Sequence, residues 1–304
     1  MTLHRFTFRA MAAENEVQVH SDDPAFAESA ATRAIEEVLR IEEKYSRYLE
    51  ASVVSRINSA AGGERVAIDA ETHGLLMFAD ACFAQSEGLF DATSGVLRRA
   101  WRFDGDRVPG DDELAALVGL VGWQRVELGA ASVRLPLPGM ELDFGGFGKE
   151  YAVDRAALAL RDVGVTSALV NLAGDLAILG PQPGRLPWRV GIQHPRHTGK
   201  LLATLPVSSG AIATSGDYER YIEVDGVRHS HVLDPRTGRS ARGFQSVTVH
   251  APSCLVAGSA STIAMLKGAR DGLEWLRSLG LAHLCVLEDG TVVDGFAADG
   301  QARE

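Results

Sequence analysis

Segments of alternating apolar and polar residues, joined by tight turns, set the strongest constraint on how this chain folds. Residues 4–11 and 14–21 alternate in this way, and residues 220–233 form another alternating run that is split by Asp225-Gly226. An Asp-Gly pair between such runs is a strong hairpin signal, because the tightest hairpin turn needs two residues with positive φ. Hairpins join antiparallel strands, so the pattern disfavours a parallel sheet built from βαβ units.

Helical patterns lie between these strands. Asp23-Pro24 is a typical helix start and opens a long amphipathic run. The pattern predicts an α+β fold of mixed, largely antiparallel sheets with packed helices. We expect a single domain over residues 1–304, with a candidate subdomain edge in the polar loop near residues 104–113. The other predicted helices span residues 70–88, 111–122, 149–164 and 254–280, the last as one or two helices.

Charge and composition exclude several classes of function. A formal net charge of −10 argues against a general nucleic-acid binder or a protein of acidic membrane surfaces. No apolar run reaches the roughly 18 residues of a membrane helix, and the N-terminus lacks the apolar core of a signal peptide. We therefore expect a soluble, cytoplasmic protein without membrane insertion. The three cysteines lack metal-site spacing and are expected to be buried free thiols.

A glycine-rich stretch between a predicted strand and a predicted helix is the first candidate site. Residues 141–154 read ELDFGGFGKEYAVD. Backbone N–H groups of such a loop, together with a helix N-terminus, can bind a phosphate, and Lys149 would add a cation. The pattern is neither a dinucleotide fingerprint nor a P-loop, so a tight strand–helix turn is an equally good interpretation.

Three other polar stretches have an ordinary structural interpretation beside a functional one. Asp175 fits a turn residue that bonds its own backbone. Residues 211–221 combine hydroxyl groups with Asp217, and this pattern also favours a turn. The hydroxyls of Ser259, Ser261 and Thr262 near the start of the last helix fit capping and close packing.

Two histidines lead into a turn in residues 229–240, HSHVLDPRTGRS. His229 and His231 alternate, so on a strand they face opposite sides and cannot chelate one metal together. His231, facing inward, is the sharper candidate for hydrogen bonding or acid–base catalysis. Asp234 and Gly238 are typical turn residues.

In this order, the motifs resemble the FAD:protein FMN transferases, the ApbE flavin-transferase family. The resemblance runs from about Met11 to Val293 and is strongest over residues 215–238. It implies an α+β fold with FAD in a cleft between subdomains. It also implies FAD and Mg²⁺ as bound groups, and transfer of FMN from FAD to a threonine hydroxyl of an acceptor flavoprotein with release of AMP. Members of this family are often exported and lipid-anchored.

The resemblance also implies individual site residues. His231 matches the histidine that precedes LDP in the family pattern and is the catalytic candidate. The metal would be held by the main-chain carbonyl of Gly146, by the hydroxyl of Thr262 and by an aspartate on the late helix. The FAD contacts would be Met11, Tyr48, Leu89, Phe90, Asp91, Asp143, Lys149 and Leu233.

The chain departs from the family pattern at the metal aspartate, where Gly258 stands. Lesser departures are Ala173 and Glu150, both at positions where glycine is usual. Because Mg²⁺ usually takes one or two carboxylates besides phosphates and water, the loss matters. Another carboxylate such as Asp217 or Asp143, or a water ligand, would then complete the site. Alternatively, the protein binds FAD with impaired or lost transfer, or hydrolyses the FAD pyrophosphate.

Overall fold

The structure is a computed structural model and describes residues 1–296. Its helices are α1 (Pro24–Tyr45), α2 (Val53–Ser59), α3 (Ala70–Gln85), α4 (Asp111–Val118), α5 (Gly148–Asp162) and α6 (Cys254–Ser278). Its strands are β1 (Thr2–Ala10), β2 (Ala13–Ser21), β3 (Val66–Ala67), β4 (Glu127–Gly129), β5 (Ser132–Arg134), β6 (Ala168–Leu172), β7 (Asp175–Leu179), β8 (Trp188–Gln193), β9 (Leu201–Val207), β10 (Gly210–Gly216), β11 (Tyr221–Val224), β12 (Val227–Ser230), β13 (Phe244–Ala251), β14 (Ala282–Leu287) and β15 (Val292–Asp294).

A central antiparallel sheet organises the described residues. Its strand order is β1-β2-β6-β7-β10-β13-β14-β15, and every neighbouring pair is antiparallel. Alternate residues of one strand enter different cores, as Val170 packs with the helices and Leu169 packs with the β8–β9 hairpin. Helices α1, α5 and α6 therefore cover one face of the sheet, and the hairpin covers part of the other. The predicted α+β class is confirmed.

The hairpin turns have the backbone that their sequences favour. Asp225 and Gly226 have φ of 52° and 73°, which is the positive-φ pair expected between β11 and β12. Ala173 and Gly174 make the equivalent turn between β6 and β7, with φ of 51° and 97°. Met11 lies in the β1–β2 turn with φ of 53°.

Helix α5 is held beside helix α6 by an interhelical cap. The carboxylate of Asp154 on α5 accepts hydrogen bonds from the backbone N–H groups of Cys254 (2.7 Å) and Leu255 (2.9 Å), at the start of α6. A carboxylate at this end of a helix also complements the helix dipole. Helix α6 is interrupted at Gly268, whose φ is 78°. The cap fixes which residues of the two helices face each other.

Several sequence predictions concern the chain as a whole. Cys82, Cys254 and Cys285 are buried free thiols, as predicted. Within residues 1–296, no helix combines the length and apolar character needed to cross a bilayer. The single-domain assignment and its edge near residues 104–113 stay predictions, and residues 297–304 of that predicted domain lie outside the described residues.

Candidate active site

One large cleft opens at the ends of α5 and β10, and its volume is about 1910 Å³. Small-ligand clefts usually measure about 300–1000 Å³, so this one has room for a dinucleotide-sized molecule. The structure brings all the sequence-predicted site residues to its walls: Met11, Tyr48, Leu89, Phe90, Asp91, Asp143, Gly146, Lys149, His231, Leu233 and Thr262. Their individual roles stay predictions.

The glycine-rich loop forms the floor of the cleft and leads directly into α5. A Cβ on Gly146 would lie 3.2 Å from Cζ of the buried Phe90, so the backbone packs closely there. Helix α5 begins at Gly148 without a side-chain cap. An uncapped helix start directs backbone N–H groups and the positive end of the dipole towards a ligand. The loop can therefore bind an anion, as one of the two sequence interpretations proposed.

The rim of the cleft holds an exposed aromatic ring. Arg47 pairs with the carboxylate of Asp143, which also accepts a hydrogen bond from the Gly145 backbone N–H at 2.9 Å. The same guanidinium donates to the Tyr48 hydroxyl at 2.8 Å and lies 4.9 Å from the centre of that ring. Tyr48 is 76% exposed, so its ring is held in place yet open to stacking. Met11 lines the same cleft.

Asp91 lines the cleft with a carboxylate that is already fully engaged. It accepts hydrogen bonds from the backbone N–H and hydroxyl of Thr93, at 2.7 and 2.6 Å, and from the Trp123 N–H at 3.0 Å. Burial raises the pKa of Asp91, although these hydrogen bonds oppose the shift. The carboxylate therefore braces the segment that carries Leu89 and Phe90.

Lys149, which is partly exposed, forms an ion pair with the buried Asp175 across the cleft floor. The ammonium lies 2.8 Å from Asp175 Oδ2, and Asp175 is 4% exposed. Burial opposes the charged ammonium, but the carboxylates of Asp175 and Glu150 outweigh it and raise the pKa of Lys149. The interpretation of Asp175 as a turn residue is wrong, because Ala173-Gly174 makes the turn and Asp175 begins β7.

Glu150 occupies the space beside Gly258. Glu150 lies in the first turn of α5 and is 8% exposed. A Cβ built on Gly258 would lie 2.5 Å from Cγ and 2.8 Å from Oε1 of Glu150. The other carboxylate oxygen, Oε2, is buried without a hydrogen-bond partner in the described part of the chain. Burial, and then the negative charge of Asp175, raise the pKa of Glu150, while Lys149 opposes the shift.

A cluster of hydroxyls lies one helical turn further along α6. Thr262 follows Gly258 by four residues, so the two lie on the same helix face. The Thr262 hydroxyl is 2.9 Å from that of Ser215, which is 2.8 Å from the hydroxyl of Ser261. Thr214, Ser215 and Gly216 lie on strand β10, so the interpretation of residues 211–221 as a turn is wrong for these three residues.

The carboxylates that the sequence offered as substitutes for the missing aspartate are paired with arginines. Asp217 accepts two hydrogen bonds from Arg196, both at 2.6 Å. Asp143 is paired with Arg47. Within the described residues, no three His, Cys, Asp or Glu side chains form a group that could hold a metal. A cation here would also need hydroxyl, carbonyl and phosphate oxygens, which Mg²⁺ accepts readily.

One of the two histidines lines the cleft, although both imidazole rings pack against the stacked rings of Trp101 and Phe103. His231 lines the cleft, whereas the ring of His229 packs 5.7 Å from that of Trp101. Nδ1 of His231 lies 3.3 Å from the carbonyl oxygen of Arg220, so a proton on Nδ1 leaves Nε2 free to accept one. The imidazole is open to solvent on the cleft side. Partial removal from water by the cleft walls still lowers its pKa, and the charges of Arg220 and Lys149 act in the same direction.

The turn after His231 holds Leu233 against the cleft. The backbone N–H of Gly238 donates to the carbonyl of Asp234 at 2.8 Å, and Gly238 has φ of 69°. The indole N–H of Trp101 donates to the carbonyl of Gly238 at 2.7 Å, which fastens the turn to the neighbouring segment. Turn chemistry at these positions therefore shapes one wall of the cleft.

Some cleft residues were not among the sequence candidates. Arg47 sits in a segment without a local signal for a site, whereas Ser215 belongs to the polar stretch of residues 211–221 but received no individual role from the sequence. Glu150 was visible only as a departure from the family pattern, as was Gly258. The signal that joins them is reciprocal: a large acidic residue replaces glycine at one position, and glycine replaces an acidic residue at the other.

The fold is α+β with one large cleft lined by the candidate site residues, and comparisons with known proteins give its family. The ApbE family model matches residues 11–285. The solved ApbE protein of Thermotoga maritima superposes with a TM-score of 0.90 at 33% identity, covering 100% of both chains. The chain belongs to the ApbE family.

Two curated relatives carry the name FAD:protein FMN transferase. The protein of Vibrio cholerae is 31% identical over 87% of this chain and 79% of its own length. The protein of Rhodobacter capsulatus is 30% identical over 94% of this chain, but the match spans only 56% of that relative.

Proposed function

We propose that this protein is an FAD:protein FMN transferase. It takes FAD, transfers the FMN part to a threonine hydroxyl of an acceptor flavoprotein, and releases AMP, with Mg²⁺ as the assisting cation. The observation that carries the proposal is that one cleft gathers every residue that the family resemblance assigns to FAD or to the metal in this sequence. The names of the two curated relatives support the same activity.

The cleft suits FAD at both of its chemical ends. The pyrophosphate fits the floor, where the uncapped start of α5 offers backbone N–H groups and the ammonium of Lys149, although paired with Asp175, offers further N–H donors. The flavin ring fits the rim, where Tyr48 presents an exposed aromatic face. Leu233 and Leu89 add apolar wall between them.

The transfer needs one bond made and one broken. The threonine oxygen of the acceptor attacks the phosphorus of the FMN half, and the bond from that phosphorus to the AMP oxygen breaks. The threonine proton passes to His231, whose lowered pKa keeps the imidazole neutral and ready to accept it near pH 7. Lys149 offsets charge on the departing AMP.

The residues around Gly258 fit a divalent cation. Thr262, Gly146 and Glu150 all line the cleft and carry oxygen atoms that can bind a cation, and one buried oxygen of Glu150 has no hydrogen-bond partner within residues 1–296. Oxygen donors are the ligands that Mg²⁺ prefers. When bound, the cation would neutralise charge on the phosphate oxygens during transfer.

A transfer assay tests the proposal. The protein is incubated with FAD, Mg²⁺ and an acceptor flavoprotein that an authentic relative modifies, and the acceptor is analysed by intact mass. We expect covalent FMN on threonine and one AMP released per FMN attached. Absence of covalent flavin beside a working relative would refute the proposal.

The same assay separates the two alternatives. A protein that only holds FAD would quench flavin fluorescence without forming AMP. A pyrophosphate hydrolase would release FMN and AMP when the acceptor is omitted.

A further inference from the structure

We propose that Glu150 is the carboxylate ligand of the divalent cation in this protein, reaching from α5 into the space that Gly258 leaves open on α6. The inference rests on the proposed function, since that function requires the cation. It assigns the ligand to a different helix and a different residue type from the family pattern.

The first argument is steric. The Glu150 side chain and a side chain at position 258 cannot coexist in this arrangement, because a Cβ at 258 would lie 2.5 Å from Glu150 Cγ. Glycine at 258 therefore admits the glutamate, and the glutamate places its carboxylate one helical turn from Thr262. The two departures from the family pattern, Glu150 and Gly258, therefore depend on each other.

The second argument is that one oxygen of the Glu150 carboxyl group lacks a hydrogen-bond partner in the described part of the chain. Oε2 of Glu150 is buried and has no hydrogen-bond partner within residues 1–296. A buried polar atom without a partner is costly, and a buried charge without one is costlier. A cation bound to this oxygen would remove the cost.

The third argument is the local charge. Asp175 is already paired with Lys149 at 2.8 Å, and Asp154 caps the start of α6 through two backbone N–H groups. Glu150 is then the acidic side chain of this cluster that keeps a carboxyl oxygen without a partner within the described residues, and a divalent cation is a partner that would favour its ionised form.

The fourth argument is the supply of other oxygen ligands. The hydroxyls of Thr262 and Ser215 lie 2.9 Å apart on the same side of the cleft, and the Gly146 carbonyl belongs to the loop before α5. The phosphates of a bound nucleotide would complete the set. This mixture of one carboxylate, neutral oxygens and phosphate is typical of Mg²⁺ sites.

Measuring Mn²⁺ binding in the presence of FAD tests the assignment directly. Free Mn²⁺ gives an electron paramagnetic resonance signal, and the loss of that signal reports binding. The Glu150→Gln variant keeps the shape of the side chain and removes the charge. We expect it to bind Mn²⁺ at least about tenfold more weakly than the parent, because even indirect supports of a metal cost about 10–100-fold when removed. The matched control is Glu37→Gln, which removes a partly buried carboxylate of α1 that lies outside the cleft, and it should bind Mn²⁺ as the parent does.

The reciprocal exchange gives a second, independent measurement. The double variant Glu150→Gly, Gly258→Asp returns a carboxylate to the space from the opposite helix, and we expect it to recover Mn²⁺ binding relative to Glu150→Gln. Glu150→Gln should also lose the Mn²⁺-induced rise in melting temperature while its metal-free melting temperature stays equal or rises. A purely structural role predicts the opposite, namely a lower metal-free melting temperature with the metal response intact.

The outcomes are distinguishable. If the parent binds Mn²⁺ and Glu150→Gln binds it equally well, the assignment of Glu150 is wrong while the proposed transferase stands. If the parent binds no Mn²⁺ with FAD present, both the assignment and the metal-assisted transfer are wrong.

Discussion

Replacing Gly258 by alanine reports whether the Glu150 side chain fills the space beside it. Helix propensity alone predicts a gain, since alanine is more favourable than glycine inside a helix by about 0.5–1 kcal/mol. The structure predicts the opposite sign. The new methyl carbon would lie 2.5 Å from Cγ of Glu150, well inside the contact distance of two carbons, which is about 3.5–4.0 Å.

The size of the effect follows from these two contributions. Cγ lies in the middle of a buried side chain, so it cannot simply swing aside, and overpacking of this kind costs about 1–3 kcal/mol. Subtracting the gain in propensity leaves a net destabilisation of about 1 kcal/mol. In a Glu150→Ala background the overlap disappears, and Gly258→Ala should instead stabilise by about 0.5–1 kcal/mol. The two substitutions should therefore couple by about 2 kcal/mol.

Urea denaturation of the four proteins, without FAD or metal, measures this cycle. Equal slopes with shifted midpoints would show that the change is in stability. The reasoning would be refuted if Gly258→Ala raised the midpoint to the same extent in both backgrounds, because the glutamate would then not lie beside Gly258.

Three further predictions concern the cleft and the acid stability of the fold. Tyr48→Ala should weaken FAD binding about threefold to tenfold, the equivalent of a lost aromatic contact of about 0.5–1.5 kcal/mol. It should not lower the melting temperature, because the ring is 76% exposed. Flavin fluorescence titration measures the affinity for FAD, and an unchanged affinity would remove Tyr48 from the site. His231→Gln should slow transfer by about 10²–10⁴-fold. The transfer rate of the parent should fall only below pH 6.5, where a base of lowered pKa gains its proton. If the variant showed the same fall in rate below pH 6.5, the assignment would be contradicted. Lys44, and then Thr72, lower the pKa of Asp69 to about 2 from 3.8. The ionised form of Asp69 therefore stabilises the fold above pH 4, and this contribution is lost as pH falls towards 2. The difference in melting temperature between Asp69→Asn and the parent should shrink over that interval, and a constant difference would show that the charge is irrelevant.

Much of the fold could be predicted because the signals are local. The pair Asp225-Gly226 makes the expected turn because both residues tolerate positive φ. Asp23 caps α1 by accepting from the N–H groups of Ala25 and Phe26, with Pro24 in the first turn. Such signals depend on a few neighbouring residues, which is why they can be interpreted without the fold.

The cleft floor could be predicted only in part, because its contacts join distant segments. Asp175 looks like a turn residue among its sequence neighbours, and only the packing of β7 against α5 gives it Lys149 as a partner. The sequence shows the loss of a carboxylate at Gly258 and offers Asp217 or Asp143 as its replacement, but each of these is paired with an arginine. The proximity of Glu150 to Gly258 depends on how α5 and α6 are docked, and no local pattern reports that.

A crystal structure of the protein with FAD and Mn²⁺ tests the central claim most directly. The anomalous signal of manganese locates the cation without assumptions about its ligands. We expect the FAD pyrophosphate at the start of α5 beside Lys149, and one manganese peak in contact with that pyrophosphate, the Glu150 carboxylate and Thr262. FAD bound elsewhere, or a manganese ion held by the pyrophosphate while the Glu150 carboxylate points away from it, would contradict the account.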